Sequence, residues 1–340
     1  MGGNALKKAN TRRYQAGEYH ALVKEVRDKL LWGYRGWEDK GFGRVNQAES
    51  IAAYRSKESF GDMDVLYTTL SEDPVDIWFV RETFSPKEIC QNGSVISFDY
   101  KELQIDLIHS TSDRFEYAKN YFAWNDLGNL IGRIAHQFGL KHGHRGVTLP
   151  LRDGDQQFAE IVLTTDHSTA LRFMGLDPDR FNEGFENLRE IFDFVTASHY
   201  FNPEVYKLEN LNTIAKTRDR KRPTYNAFLE HTKDWKGHTW TNPHKLDKKM
   251  WIPFILDQFP EARPDFDRAM EKLVFQQFIK TKFNGTLVSE ITGLVGKDLG
   301  YFMQHVRETT NLGHPHYVAM LSDQKIRDLV KLNFDVFQKS

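Results

Sequence analysis

The chain of 340 residues carries 46 basic and 47 acidic side chains, a formal net charge of −1, with 40% hydrophobic and 13% aromatic residues. That is enough apolar material for two domains with real cores, and the even charge balance excludes a wholly basic nucleic-acid-binding protein, so any such binding has to use local patches. The one cysteine, Cys90, excludes an intrachain disulfide and a cysteine-rich metal site; with no long apolar run and no signal-like start, the expectation is a soluble cytoplasmic protein without a membrane partner.

Residues 1–16 begin Gly2-Gly3-Asn4 and carry Lys7, Lys8, Arg12 and Arg13, which reads first as a solvated terminus and second as a mobile arm or phosphate-binding edge. From 18 to 31, Tyr19, Leu22, Val23, Val26 and Leu30 recur at helical spacing and predict an amphipathic helix against a sheet. The Gly33 to Trp37 stretch ends it, Gly41-Phe42-Gly43 is a turn, and a strand is expected over 45–51. The stretch Ser59-Phe60-Gly61-Asp62-Met63-Asp64-Val65-Leu66 then sets two carboxylates two residues apart at the head of a β-prone run. Both acids share one face of a strand, and Met63 and Val65 turn to the core. Gly61 suits a tight entry that brings backbone near phosphate.

A strand over 65–70 ends in a loop at 73–76 containing Pro74, and residues 94–100 and 102–108 form a hairpin. Its second strand holds Asp106 between Ile105 and Leu107, a costly place for a carboxylate that meets neither solvent nor a cation. Three carboxylates from two strands are the donor set of a hard divalent ion and fit two-metal phosphoryl transfer. After a short helix at 113–121 comes Tyr121-Phe122-Ala123-Trp124-Asn125-Asp126-Leu127-Gly128-Asn129, with Arg133 beyond. The helix over 125–138 has an apolar stripe, Leu127, Leu130, Ile131, Ile134 and Phe138, and a polar face, Asp126, Asn129, Arg133 and Gln137, which is either solvated or functional.

These stretches resemble the DNA polymerase β-like (family X) branch of the nucleotidyltransferase superfamily. Residues 59–66 are similar to its first metal motif, Gln104-Ile105-Asp106-Leu107 to the strand with its third metal aspartate, and Tyr121 to Arg133 to its Tyr-Phe motif and nucleotide-binding helix. The likeness covers residues 55–151. It implies an α+β fold, with a nucleotidyltransferase-type mixed β-sheet flanked by helices in a catalytic domain at 1–165 and an all-helical substrate-binding domain at 166–340. It also implies two Mg²⁺ ions, or Mn²⁺, on Asp62, Asp64 and Asp106, with Tyr121 and Phe122 by the sugar, Asp126 and Asn129 near the base, and Arg133 near template or primer. The family's phosphate-binding Gly-Ser pair falls here on Ile51-Ala52, so the phosphates are expected on Arg55, helped by Ser50 or the Gly2-Gly3 backbone. The N-terminal helical lyase domain of the β-type polymerases has no room.

Gly139 caps the helix; Lys141 to Gly146, with His136, His142 and His144 in reach, reads as a loop touching phosphate rather than a zinc set. A hairpin over 147–151 and 158–164 closes the first domain, and helices are expected at 168–174, 185–195, 203–216, 223–235, 247–259, 263–283, 297–309 and 323–337. Within Lys216 to Arg222, the bases Arg218, Arg220, Lys221 and Arg222 are candidate nucleic-acid phosphate contacts, against the alternative of a solvated helix end. Trp235, Trp240 and Trp251 lie among lysines and histidines and either stack unpaired bases or fill the core. Residues 291–300 loosely resemble a loop and helix in the tail domains of CCA-adding enzymes and poly(A) polymerases. The expected reaction moves a nucleoside monophosphate from an NTP or dNTP to a 3′ hydroxyl of DNA, RNA or tRNA, releasing pyrophosphate. The alternatives are a terminal or tRNA nucleotidyltransferase, a toxin-like modifier of RNA or protein, and an inactive nucleic-acid-binding relative.

Overall fold

A computed structural model describes residues 5–32 and 45–338. The Gly2-Gly3 backbone, the Gly33 to Trp37 stop and the Gly41-Phe42-Gly43 turn lie outside the described residues. The chain divides into two compact units, Met1–Glu261 and Ala262–Ser340.

The first unit opens with β1 (Tyr14–Gln15), α1 (Ala16–Trp32), β2 (Val45–Ser50), β3 (Ser59–Phe60), β4 (Asp62–Thr69), α2 (Ile77–Phe84), β5 (Ile89–Asn92), β6 (Val95–Tyr100) and β7 (Leu103–His109). Five strands make one mixed sheet in the order β2-β4-β7-β6-β5, parallel between β4 and β7 and antiparallel elsewhere. Alternation along β4 decides its two faces. Met63, Val65 and Tyr67 enter a core with Tyr19, Leu22, Val26 and Leu30 of α1 and Phe79, Val80 and Phe84 of α2. Leu66 points the other way, under Phe115 and Ala118 of α3 (Phe115–Phe122). The β6–β7 hairpin turns on Lys101 and Glu102, both at positive φ (49° and 63°), the conformation that matches strand twist in a two-residue turn.

The described N-terminal residues are held rather than frayed. Backbone N–H groups of Lys7, Lys8 and Ala9 donate to the Glu88 carboxylate at 2.7–3.1 Å, and Arg12 N–H donates to the Glu102 carbonyl at 2.8 Å. Both α2, which starts on an Asp76 cap donated to by Phe79 N–H at 2.7 Å, and β5 are additions to the predicted elements. Next come α4 (Leu127–Gln137) and a separate antiparallel sheet of β8 (Lys141–Gly143), β9 (Gly146–Asp153) and β10 (Gln156–Thr164). The expected loop at 141–146 is therefore a tight hairpin, with His142 buried.

Helices follow as α5 (His167–Phe173), α6 (Pro178–Glu183), α7 (Leu188–Thr196), α8 (Thr213–Asp219), α9 (Pro223–His231) and α10 (Ile252–Gln258). The helix expected over 203–216 is instead two 3₁₀ turns and the short α8. These helices belong to the first unit, whereas the sequence placed a boundary at 165. The cause is α4, both of whose sides are covered. Phe138 just beyond its end packs against Phe173, Tyr200, Trp240 and Trp251 at ring separations of 4.9–5.3 Å, Gln137 donates to the Tyr200 carbonyl at 2.9 Å, and Tyr206 donates to the Leu130 carbonyl at 3.1 Å.

The second unit contains α11 (Arg263–Lys282), α12 (Gly285–Thr292), α13 (Gly296–Thr309), α14 (Pro315–Met320) and α15 (Asp323–Phe337) around its own core of Val288, Phe302, Val306, Ile326 and Val330. Its described elements are all helical, and no described helix is long and apolar enough to cross a membrane.

Burial pushes the His142 imidazole down to about 3 and that of His167 down to about 4, from an ordinary 6.5. A base whose folded pKa is depressed stays neutral in the fold while the unfolded chain takes up its proton below about 6.5. Each then removes up to about 1.4 kcal/mol of stability per pH unit as pH falls toward its folded value. NMR titration should find both rings without a transition between pH 8 and about 5; midpoints near 6.5 would contradict their burial.

Candidate functional site

Register sets the site. On the parallel pair β4 and β7, Asp64 lies opposite Asp106 and Asp62 opposite Gln104, so three carboxylates leave one sheet face together. Their ligand oxygens lie within 4.8 Å of one another, the one such group of acids, histidines or cysteines among the described residues. Asp106 is oriented by Gln104, whose amide donates to both carboxylate oxygens at 2.9 and 3.0 Å, and by the Ser97 hydroxyl from β6. Gln104 is itself fixed, its carbonyl oxygen accepting from the backbone N–H of Ala5 at 3.0 Å.

Burial first, then the charges of Asp62 and Asp106, push the Asp64 carboxyl up to about 7. Burial also raises Asp106, against the hydrogen bonds of Ser97 and Gln104. Three partly buried carboxylates this close are mutually destabilised until a cation joins them. An all-carboxylate donor set with a proton held at one member fits a hard divalent ion.

Beside the acids opens a cleft of about 450 Å³, within the range of small-molecule sites. One wall is the α3–α4 corner, with Tyr121, Phe122, Asn125, Asp126 and Asn129; the other is Arg13, Tyr19, Lys57 and Phe60, and Arg222 to Thr224 reach its rim. The corner is tightly built. A Cβ on Gly128 would lie 2.2 Å from the Tyr121 carbonyl oxygen, so glycine alone permits the approach. Trp124 and Asn125 both take φ of 62°, a strained pairing for non-glycine residues, and Trp124 N–H donates to the Ala52 carbonyl at 2.7 Å.

Of the residues expected from sequence, Asp62, Asp64, Gly61, Tyr121, Phe122, Asp126, Asn129 and Arg222 line this cleft, and Asp106 joins the two acids at its floor. The others lie elsewhere. Ser50 pairs with Val65 in the sheet, outside the cleft lining. Arg55 donates to the Glu183 carbonyl, and its backbone N–H to the Phe185 carbonyl at 3.0 Å, which turns it from the cleft. Arg133 is buried in an ion pair with Asp219, which is wholly inaccessible, so it does not face a template or primer. Arg218 is spent on Asp219 at 2.7 Å and on the Asn129 side-chain amide oxygen at 2.7 Å, and Arg222 on Asp126. Arg220 and Lys221 are exposed and outside the cleft lining. The three tryptophans pack: Trp240 and Trp251 on Phe138, and Trp235 on Phe201 with its ring N–H donating to the His238 carbonyl at 3.0 Å.

Two further cations line the cleft: Lys57, to which the sequence assigned no role, and Arg13, which it placed in a solvated terminus or a phosphate-binding edge. Tyr19 and Phe60 stack at 3.8 Å, and the Lys57 ammonium lies 4.5 Å over the Phe60 ring. Burial lowers its pKa, opposed by the charge of Asp62. Arg13 donates to the Ser59 carbonyl at 2.8 Å and hydroxyl at 3.0 Å. Gly61 makes room for it, since a Cβ there would meet the guanidinium at 3.1 Å. Lys57 stands in a short basic run just before the motif and Arg13 in one far upstream of it, which is the one signal the sequence offers for them.

No protein-family model matches this sequence. A stretch of 102 residues is 26% identical to part of the 4-alpha-glucanotransferase of Chlamydia muridarum (strain MoPn / Nigg), covering 27% of this chain and 19% of that protein. The chain thus spans about a fifth of the length of a relative that is named as a transferase. That likeness and the metal-capable carboxylate triad both point to an enzyme.

Burial pushes Asp219 up, but Arg218 and Arg133 outweigh it and hold the carboxyl below the usual range. Asp219→Ala would strand Arg133 in the interior and should cost about 3–5 kcal/mol in urea unfolding. Lys221→Ala, at an exposed position, should stay within about 0.5 kcal/mol. Equal effects of the two would contradict a structural role for the buried pair.

Proposed function

We propose that this chain is a divalent-metal-dependent nucleotidyltransferase that moves a nucleoside monophosphate from an NTP or dNTP to the 3′ hydroxyl of a nucleic acid, releasing pyrophosphate. The observation that carries the reading is the in-register convergence of Asp62, Asp64 and Asp106 at the floor of a small-molecule cleft flanked by Lys57 and Arg13. Asp62, Asp64 and Asp106 would hold Mg²⁺, two ions in the fullest form, which when bound supplies charge neutralisation at the reacting phosphate and lowers the pKa of the attacking hydroxyl.

The chain's own residues do the rest. Lys57 and Arg13 bind phosphate oxygens of the leaving pyrophosphate, the task the sequence suggested for Arg55 and Ser50. Tyr121 and Phe122 give an aromatic wall for sugar or base, and Asn125 offers it an amide group. Asp106, oriented by Gln104 and raised by burial, accepts the acceptor hydroxyl's proton on a carboxylate oxygen. The acceptor hydroxyl's own oxygen, its proton passed to Asp106, forms the new bond to the α-phosphorus as the bond to pyrophosphate breaks. Most of the acceleration comes from positioning and charge complementarity.

The partial likeness to a 4-alpha-glucanotransferase favours a second reading, glycosyl transfer. Such chemistry uses two carboxylates on either side of a scissile bond, about 5–5.5 Å apart in retaining enzymes. A third acid within 4.8 Å of both has no task there, which favours the cation-centred reading.

Purified protein incubated with Mg²⁺, each labelled NTP or dNTP and oligonucleotide acceptors should release pyrophosphate and label an acceptor. Asp64→Asn should lose about 10³-fold or more in kcat, Lys57→Met should raise nucleotide KM about tenfold, and Arg55→Ala should leave KM within about twofold. Labelled glucan products from an α-glucan, with no pyrophosphate from any nucleotide, would reverse the order of the two readings.

A further inference from the structure

We infer that Tyr117, His142 and His167 enclose a buried polar site that takes a single water molecule. The hydroxyl of Tyr117 and the Nε2 atoms of His142 and His167 are all buried without a hydrogen-bond partner. Their residues are 2%, 8% and 6% exposed, so bulk solvent does not satisfy them. The three rings close a triangle, 5.9 Å from Tyr117 to His142, 5.5 Å from Tyr117 to His167 and 6.2 Å between the histidines, with the tyrosine edge-on to both. They come from α3, β8 and α5, far apart in sequence, and no step of the proposed reaction uses them.

The donors and acceptors match one water. The Nδ1 of His142 lies 3.1 Å from the Gly128 carbonyl oxygen, which can only accept. That nitrogen therefore carries the proton, and Nε2 presents a bare lone pair. A water between the rings accepts from the Tyr117 hydroxyl and donates to His142 Nε2, leaving its second hydrogen for His167 Nε2. Interior waters typically make about three such bonds to groups left unsatisfied by protein. A metal ion fits less well, because a third ligand would have to be a phenolate and burial holds the Tyr117 hydroxyl far above its usual range.

The site lies behind the cleft wall. The same His142 ring is 5.0 Å edge-on from Tyr121, and it holds Gly128 in the first turn of α4. Filling the site thus ties α3, β8 and α5 together where the wall is formed.

Tyr117→Phe decides between a filled and an empty site by sign. With a bridging water, its unfolding equilibrium should shift toward the unfolded state about fivefold. With an empty site, deleting an unpaired buried hydroxyl leaves stability unchanged or raised, and that result overturns the inference. His167→Phe, which removes an acceptor from the same site, should show a similar loss. If His167→Phe does not fold, Tyr117→Phe and a high-resolution crystal structure with one water bonded to all three atoms settle the matter. A stoichiometric transition metal retained through chelator dialysis would also overturn it.

Discussion

Asp64 and Asp106 face each other across two parallel strands, with Asp62 one pleat away. Two full charges at 4.8 Å repel by about 3.5 kcal/mol at an effective dielectric of about 20, and three such pairs share this corner. Met63, Val65 and Ile105, each buried to within 2% of full, anchor the strands from the opposite face, so a shift of register that relieved the repulsion would expose the core. Burial first, and then this repulsion, push the Asp64 carboxyl up to about 7, so that it holds a proton near neutral pH. A site that stores unfavourable charge in this way is poised for a cation.

Around that corner the chain builds walls from distant sequence. The polar face of α4 is neither solvated nor turned wholly to the cleft. Asp126 and Asn129 reach the cleft lining but are engaged by Arg222 and Arg218, while Arg133 and Gln137 are sealed by the helical region behind them. One helix therefore joins the sheet to the segment 167–261, and the cleft rim at Arg222 to Thr224 comes from that segment. This is why the first compact unit is larger than sequence composition suggested.

The sequence was most legible where local pattern and tertiary role coincide. Alternation in Asp62 to Tyr67 and the hairpin at Lys101-Glu102 are local signals, whereas the parallel pairing of β4 with β7 that sets Asp106 beside Asp62 and Asp64 is a non-local contact that they do not specify. Arg133 shows the limit: its helical face was read correctly, but its partner Asp219 lies 86 positions on, and an ion pair at that separation leaves no periodic trace. Arg55 was assigned by a spacing rule taken from the resemblance, whereas the loop from Ala52 turns on Trp124 N–H and sends the guanidinium to Glu183. Lys57 carries no motif at all. Its place depends on the Tyr19–Phe60 stack, which forms only once α1 lies against β3.

The most direct test of this account is a calorimetric titration of the protein with Mn²⁺ near pH 7, repeated in buffers of different ionisation enthalpy. Ion binding should displace the proton held at the carboxylate cluster, so the heat should depend on the buffer, and both binding and proton release should be lost in Asp106→Asn. Absence of binding, or binding that survives unchanged in Asp106→Asn, would contradict the claim that these three acids form a cation site.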